Sequence, residues 1–188
     1  MTLEPRVQQY LKDIQTKWNT HKLGKISLVK PEHMHLSLAF LGEPDELLLN
    51  DVTYPFNKLV NLFSPINVSL SETGMFPHAN DPKIIWMGIN GELDKLYDFK
   101  KLVDGVLEKL EFETDKRKFQ AHITLGRVKY LKQPSHQLAH SVMETDVFPL
   151  QFKLSELVWI ESTLTQQGPV YKTLKTFPLI GEDSHDAE

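Results

Sequence analysis

A histidine and a hydroxyl residue two positions apart occur twice in this sequence, each time within an alternating run of apolar residues. The first copy is His35 and Ser37 in the stretch HMHLSLAFLGE, and the second is His122 and Thr124 in the stretch FQAHITLGR. Side chains of a β-strand point to opposite faces in turn, so each histidine is predicted to share a face with its hydroxyl. The apolar residues, Phe40 among them in the first copy, are predicted to cover the other face. The copies lie 87 residues apart, and their repetition favours a functional site over two ordinary exposed strands.

Two histidines that face each other could move protons in both directions. Imidazole titrates near neutral pH, so one ring can act as a general base while the other acts as a general acid. Serine and threonine hydroxyls are small donors that can hold the non-bridging oxygens of a phosphate. Cleavage of a phosphodiester needs this set: a base for the attacking water, an acid for the leaving oxygen and donors for the charged phosphoryl group. The repeated motif therefore favours phosphodiester chemistry.

The chain that must position these residues alternates between helical and strand patterns. Apolar spacing predicts helices over residues 4–18, from Asp45 toward Phe63 with a break or kink at Pro55, over 93–110, and near 135–145. Strands are predicted over 25–30, 34–41, 66–72, 83–90, 119–128, 152–162 and 169–177. Connections between several strands are too short for parallel crossovers, so antiparallel sheets with helices on one face are expected. This is an α+β fold, predicted as a single domain over residues 1–188.

Composition limits the function classes. The 188 residues include 40% hydrophobic and 24% charged side chains, as in ordinary globular proteins, and no cysteine, which excludes disulfides and thiolate metal sites and favours a reducing cytoplasm. No signal peptide or membrane span is expected. The net charge of −4 argues against coating of nucleic acid through a global positive field. A local basic run flanks the second motif and is a candidate for attracting RNA; it contains Lys116, Arg117, Lys118, Arg127, Lys129 and Lys132.

The two H-x-[ST]-L motifs resemble those of the 2H phosphoesterase superfamily, and their surroundings resemble its RNA 2′,3′-cyclic phosphodiesterase (2′-5′ RNA ligase-like) branch. The similar stretches are HMHLSLAFLGE, KIIWMGI, FQAHITLGR and WIESTLTQQGPVYKTLKTFPL, which together span nearly the whole chain. The resemblance implies a bilobal fold, with two antiparallel sheets related by pseudo-twofold symmetry around a central cleft and helices on the outside. Ser37 stands where the family more often has threonine. Such proteins also usually open with a short apolar strand, whereas this chain begins almost directly with the helix.

The resemblance also implies an activity and a role for each site residue. The activity is metal-independent hydrolysis of an RNA terminal 2′,3′-cyclic phosphate to a 2′-phosphate, with His35 as the proton donor and His122 as the acceptor. Ser37, Thr124 and Arg127 would contact the phosphate. No cofactor and no metal are implied. The expected partners are RNA 3′ ends with a 2′,3′-cyclic phosphate or related nucleotides, with no membrane association, and the chain is expected to be a monomer.

Several alternatives stay open at the level of sequence. Strict alternation would turn Arg127 toward the core, although Gly126 permits a β-bulge that could re-aim it. His33 and His35 have a spacing that can bind zinc. Trp86 is more typical of a core residue than of a base-stacking platform. A different 2H activity, on cyclic phosphates of ADP-ribose or on 2′-5′ oligonucleotides, and a non-catalytic module that binds RNA ends are the competing functions.

Overall fold

The computed structural model describes residues 1–18, 20–42, 52–114, 117–165 and 168–182. In chain order its helices are α1 (Pro5–Lys17), α2 (Thr20–Leu23), α3 (Thr53–Val60), α4 (Leu93–Lys109) and α5 (Ser135–Met143). Its strands are β1 (Gly24–Leu28), β2 (Ile66–Phe76), β3 (Ile84–Gly91), β4 (His122–Leu131), β5 (Gln151–Leu154), β6 (Glu156–Thr165) and β7 (Gly168–Pro178). The first residues of the helical region predicted from Asp45, residues 45–51, lie outside the described part.

The strands form two antiparallel sheets. The larger has five strands in the order β1-β4-β3-β2-β5, and the smaller is the hairpin of β6 and β7. Every neighbouring pair in both sheets is antiparallel. The predicted α+β class with two antiparallel sheets is confirmed. The extent of the single domain, residues 1–188, stays a prediction.

Helix α1 packs one face into the core beside the sheet. Pro5 occupies its first turn, where the missing backbone N–H is not needed. Val7, Leu11 and Ile14 recur at helical spacing and are fully buried. Together with the core faces of β3 and β4 they belong to one continuous apolar cluster. The helix predicted over residues 4–18 is therefore confirmed to within a residue at each end.

Pro55 lies in the first turn of α3, where the backbone nitrogen has no partner within the helix. The break predicted there concerns the helical region from Asp45, and residues 45–51 lie outside the described part, so it stays a prediction. The strand predicted over residues 34–41 was wrong. The stretch predicted as a strand over residues 34–41 makes only an isolated bridge at Leu36, after a 3₁₀ turn at Pro31–His33. Its alternation also ends early: Met34, Leu36 and Leu38 are buried, but Phe40 is 72% exposed.

The strand predicted over residues 152–162 is divided between the two sheets. β5 pairs with β2 in the five-stranded sheet, whereas β6 pairs with β7 in the hairpin. Ser155 is the residue at which the chain passes from one sheet to the other, and its carbonyl accepts a hydrogen bond from the backbone N–H of Leu179 at 2.8 Å. No helix in the described ranges is long and apolar enough to cross a bilayer.

Candidate active site

Both motifs present their polar residues on one face and their apolar residues on the other. In β4, His122 and Thr124 are half-buried while Ile123 and Leu125 are fully buried. In the first motif, His35 and Ser37 are likewise half-buried on either side of a fully buried Leu36. The period-two prediction is therefore confirmed at the motif residues themselves.

A single antiparallel bridge joins the motifs, between Leu36 and Ile123. Residues that oppose each other across an antiparallel pair share a face, so this register sets His35 opposite Thr124 and Ser37 opposite His122. The two histidines are then diagonal neighbours, about 7–8 Å apart and somewhat closer between their β-carbons. Each imidazole lies across from the hydroxyl of the other motif, in an arrangement with local twofold symmetry about the Leu36–Ile123 pair.

The other edge of the first motif is also paired. The amino group of Met1 donates to the carbonyl of Leu36 at 2.7 Å, and the N–H of Leu36 donates to the carbonyl of Met1 at 3.1 Å. Thr2, which follows, donates from its hydroxyl to Glu156 of β6 at 3.0 Å. Residues 1–3 therefore lie between the first motif and the hairpin, and the motif backbone is held from both sides.

The two imidazoles are anchored in the same way. Nδ1 of His35 lies 2.7 Å from the carbonyl oxygen of His33, and Nδ1 of His122 lies 2.7 Å from the carbonyl oxygen of Gln120. A carbonyl oxygen can only accept, so each Nδ1 must carry the hydrogen and donate it. Each Nε2 is thereby left to take or give a proton at the site. Sequence alone does not reveal these anchors, because they use the backbone two residues before each histidine.

Aromatic rings contact the histidines edge-on. Phe76 lies 5.1 Å from the ring centre of His122 at an interplanar angle of 86°, and Phe76 in turn stacks on Trp86 at 5.1 Å. Tyr171 lies 5.9 Å from the ring centre of His35 at an angle of 70°. Trp86 is 8% exposed, but it lies on the histidine face opposite Thr124, 6.5 Å from the ring centre of His122 and outside the apolar core cluster, so its assignment as a core residue stays a prediction. The contacts of Phe76 and Tyr171 were missed from the sequence, because they depend on β2 and β7 folding against the motifs.

A β-bulge re-aims Arg127. In the pairing of β4 with β3, Arg127 faces Ile84 and Thr124 faces Trp86, so three steps on β4 match two steps on β3. Ile84 and Trp86 are two residues apart and share a face, which places Arg127 on the same face as Thr124. The bulge anticipated at Gly126 is therefore present, and Arg127 is exposed on the side of the histidines.

Helix α1 braces this bulge. The side-chain amide of Gln15, which is 4% exposed, donates to the carbonyl of Leu125 at 2.8 Å and to the carbonyl of Val29 at 2.9 Å. The Leu125 carbonyl also accepts from the backbone N–H of Val29 at 2.9 Å. One buried amide thus satisfies backbone groups of both the bulged strand and the chain that leads to the first motif.

The electrostatic setting of His35 favours its neutral form. Burial lowers the pKa of His35 below its ordinary value, against the opposing effect of the hydrogen bond to the His33 carbonyl. The positive charge of the Arg127 guanidinium lowers the pKa of His35 further. A bound phosphate anion would act in the opposite direction and favour the protonated ring.

The other histidines and basic residues singled out by sequence are distributed differently. The ring of His33 lies 4.8 Å from that of Tyr171, beside His35. His78 is exposed in a turn, where its Nδ1 accepts from the backbone N–H of Asp81 at 3.2 Å. In the basic run, Lys118 and Lys129 are exposed, whereas Lys116 lies outside the described residues.

The fold and the sequence both have clear relatives. The RNA 2′,3′-cyclic phosphodiesterase of Methanocaldococcus jannaschii is 31% identical over 154 residues, which are 82% of this chain and 85% of the relative. The protein of the same name from Thermus thermophilus is 30% identical over 193 residues, which cover 98% and 90% of the two chains.

Solved structures of other proteins have a similar fold. A crystal structure of a Thermus thermophilus protein matches with a TM-score of 0.80 at 28% identity, over 96% of each chain. Escherichia coli LigT complexed with 3′-AMP matches with a TM-score of 0.72 over 95% of this chain and 94% of its own, and at 17% identity this likeness concerns the fold alone. The family model of the 2′-5′ RNA ligase superfamily matches residues 3–165, which include both histidine motifs. The chain belongs to the 2′-5′ RNA ligase superfamily.

Proposed function

We propose that this protein hydrolyses the terminal 2′,3′-cyclic phosphate of RNA to a 2′-phosphate, with His35 and His122 as its acid–base pair. The observation that carries the proposal is the paired geometry of the two imidazoles. Each is fixed through Nδ1 to a backbone carbonyl at 2.7 Å, and each lies across from the hydroxyl of the other motif. The names of the Methanocaldococcus and Thermus relatives support the same reaction.

The proposed reaction is a single in-line displacement at phosphorus. Nε2 of His122 takes a proton from water as the water oxygen bonds to phosphorus, and the bond from phosphorus to the 3′-oxygen breaks. Nε2 of His35 gives its proton to that leaving oxygen, so the product carries a 3′-hydroxyl and a 2′-phosphate. The proton gained by His122 and the one lost by His35 are exchanged with solvent before the next turnover.

The charged phosphoryl group needs donors that do not themselves react. Ser37 and Thr124 lie on the histidine face and can donate hydroxyl hydrogens to the non-bridging oxygens. The bulge brings the Arg127 guanidinium to the same face, where it can hold the phosphate by charge-assisted hydrogen bonds. These roles use only side chains of this protein.

Incubation with adenosine 2′,3′-cyclic phosphate tests the proposal directly. The expected product is adenosine 2′-phosphate, which chromatography separates from the 3′-isomer. Formation of the 3′-isomer would reverse the regiochemistry. An unchanged substrate that nevertheless binds would identify a module that holds RNA ends without turnover.

Treatment with a chelator is expected to leave this activity unchanged. The two motifs supply imidazoles and hydroxyls but no carboxylate cluster and no thiols, so we expect hydrogen-bond donors to meet the phosphoryl charge. Rates should be compared after dialysis against EDTA and after dialysis against buffer alone. An activity that is lost with EDTA and restored by zinc would contradict the mechanism and favour metal binding by His33 and His35.

The pH profile of kcat/KM should show a decline on its alkaline side that begins at an acidic pH. A general acid must be protonated, and the pKa of His35 in the free protein lies below the ordinary 6.5. The value of kcat/KM for a cyclic nucleotide should therefore fall as the pH rises through a pKa below 6.5. A p-nitrophenyl phosphodiester, whose leaving group needs no proton, should lack this limb. A limb shared by both substrates would belong to a group other than the general acid.

A further inference from the structure

The face that carries the histidines continues outward along β1 and β4. Ser27 faces Arg127, and Lys25 faces Tyr130. Lys25 and Ser27 are two residues apart on β1, so both share the face of Arg127, and Tyr130 shares the face of Lys25. Arg127 and Tyr130 are three steps apart on β4, an odd number that would by itself place them on opposite faces. A second register shift, between Lys25 and Ile26, absorbs one of these steps and keeps both residues on the same face.

Burial agrees with this assignment. Ile26 and Val128, which oppose each other between these pairs, pack on the core from the other side of the sheet. On the site face Lys25, Ser27 and Arg127 are exposed, as is Tyr130 at 54%. We name these four residues, Lys25, Ser27, Arg127 and Tyr130, the β1–β4 track.

The track is cationic and carries an exposed aromatic ring. Among the described residues, neither Lys25 nor Arg127 has a carboxylate within salt-bridge distance. Asp81 pairs instead with Lys83, the residue before β3, at 2.7 Å. Single-stranded nucleic acid binds to surfaces that combine positive side chains with exposed aromatic rings. The positive side chains contact phosphates, and the aromatic rings stack on bases.

The track leads outward from the histidine site. Thr124 and Arg127 are two ladder steps apart against β3, and Arg127 and Tyr130 are two ladder steps apart against β1, because each register shift absorbs one residue of β4. At about 3.3 Å per step, Tyr130 lies roughly 13 Å from Thr124 along the sheet. A cyclic mononucleotide bound at the histidines would leave the outer end of this surface uncovered. A longer strand would cover it, because the phosphates that precede the terminal nucleotide must leave the site along some path.

We infer that the β1–β4 track binds the single-stranded RNA segment on the 5′ side of the terminal cyclic phosphate, so that oligonucleotide ends, rather than mononucleotides, are the preferred substrate class. This inference rests on the proposed function for the position of the terminal phosphate. Arg127 contacts the phosphate nearest the reaction, Lys25 a phosphate further along the strand, and Tyr130 stacks on a base.

The double variant K25Q/Y130A tests the track. The substrates are adenosine 2′,3′-cyclic phosphate and a single-stranded RNA pentamer that ends in a 2′,3′-cyclic phosphate. The wild-type protein should have the higher kcat/KM for the pentamer. The kcat/KM of the variant for the pentamer should fall about tenfold or more, through a higher KM, because one stacked base and one phosphate contact are removed. The slope of log kcat/KM against log salt should flatten by about 0.7 for the lost lysine contact. Turnover of the mononucleotide should be unchanged.

The matched control is Y54A/K58Q. Tyr54 is also an exposed tyrosine, at 68%, and the ammonium of Lys58 lies 4.7 Å from its ring centre on α3, which is not part of the five-stranded sheet. This control removes the same two residue types and should not alter turnover of either substrate. Equal melting temperatures for the two double variants would show that both are folded.

The other outcomes are distinct. If K25Q/Y130A and the wild-type protein have the same kcat/KM for the pentamer, the inferred role of the track in RNA binding is refuted while the proposed function stands. Equal losses on both substrates would also overturn it, because the residues would then serve the site or the fold. If wild type cleaves neither substrate, the proposed function fails. RNA binding by the track is then tested by the fluorescence anisotropy of a fluorescein-labelled RNA pentamer. Weaker binding by K25Q/Y130A alone supports the inference. Equal binding by K25Q/Y130A and the control variant refutes it.

Discussion

His35→Ala is expected to lose about 10²–10⁴-fold of its activity on a 2′,3′-cyclic nucleotide and to recover most of that loss on a p-nitrophenyl phosphodiester. The reason is the leaving group. A ribose alkoxide departs poorly unless it is protonated, whereas nitrophenolate is stable as an anion and departs without help. Steady-state kcat/KM on both substrates measures the difference.

His122→Ala is the informative comparison, because it lacks the base that activates water. It should be slow on both substrates. His78→Ala, which changes an exposed turn histidine, controls for loss of an imidazole as such. Recovery of His122→Ala in place of His35→Ala would exchange the two roles and leave the two-histidine mechanism standing. Recovery of neither would mean that the imidazoles mainly bind phosphate. Binding of the aryl ester to each variant should be measured in parallel, to show that it occupies the site.

Gln15→Met should lower the free energy of unfolding by about 1–3 kcal/mol. Methionine keeps a similar side-chain length but has no donor, so the carbonyl of Val29 loses its bond from the amide and that of Leu125 keeps only its bond from the Val29 N–H. Urea denaturation measures the change.

Gln9→Met provides the matched control. Gln9 is an exposed residue of the same helix, and among the described residues its amide donates only to Asp13. This variant should change the free energy of unfolding by no more than a few tenths of a kcal/mol. Equal effects of the two variants would show that the buried amide of Gln15 does not stabilise the fold.

The sequence was informative where structure depends on neighbours along the chain. Alternation predicted the faces of both motifs, and helical spacing predicted α1. It failed at Phe40, where pairing ends and the side chain is 72% exposed. The bulge could be anticipated from Gly126, because a glycine in a strand often marks one.

The contacts that were not predicted from the sequence depend on pairing between residues far apart in the chain. The bridge from Leu36 to Ile123 decides which hydroxyl each histidine meets, and no local pattern specifies it. The edge contacts of Phe76 and Tyr171 follow from sheet order and hairpin placement. The transfer of the chain between sheets at Ser155 likewise reflects which partner strand is available, since both halves of the predicted strand have the same local character.

The bridge between Leu36 and Ile123 has a consequence for how proteins of this fold can diverge in sequence. Both residues are fully buried, and His35 and His122, the proposed proton donor and acceptor, occupy the positions next to them. The spacing of the reactive groups is thus a property of paired backbone, independent of the loops that surround it. Loops can then change in length and composition and alter which molecules enter, while the chemical step is inherited intact.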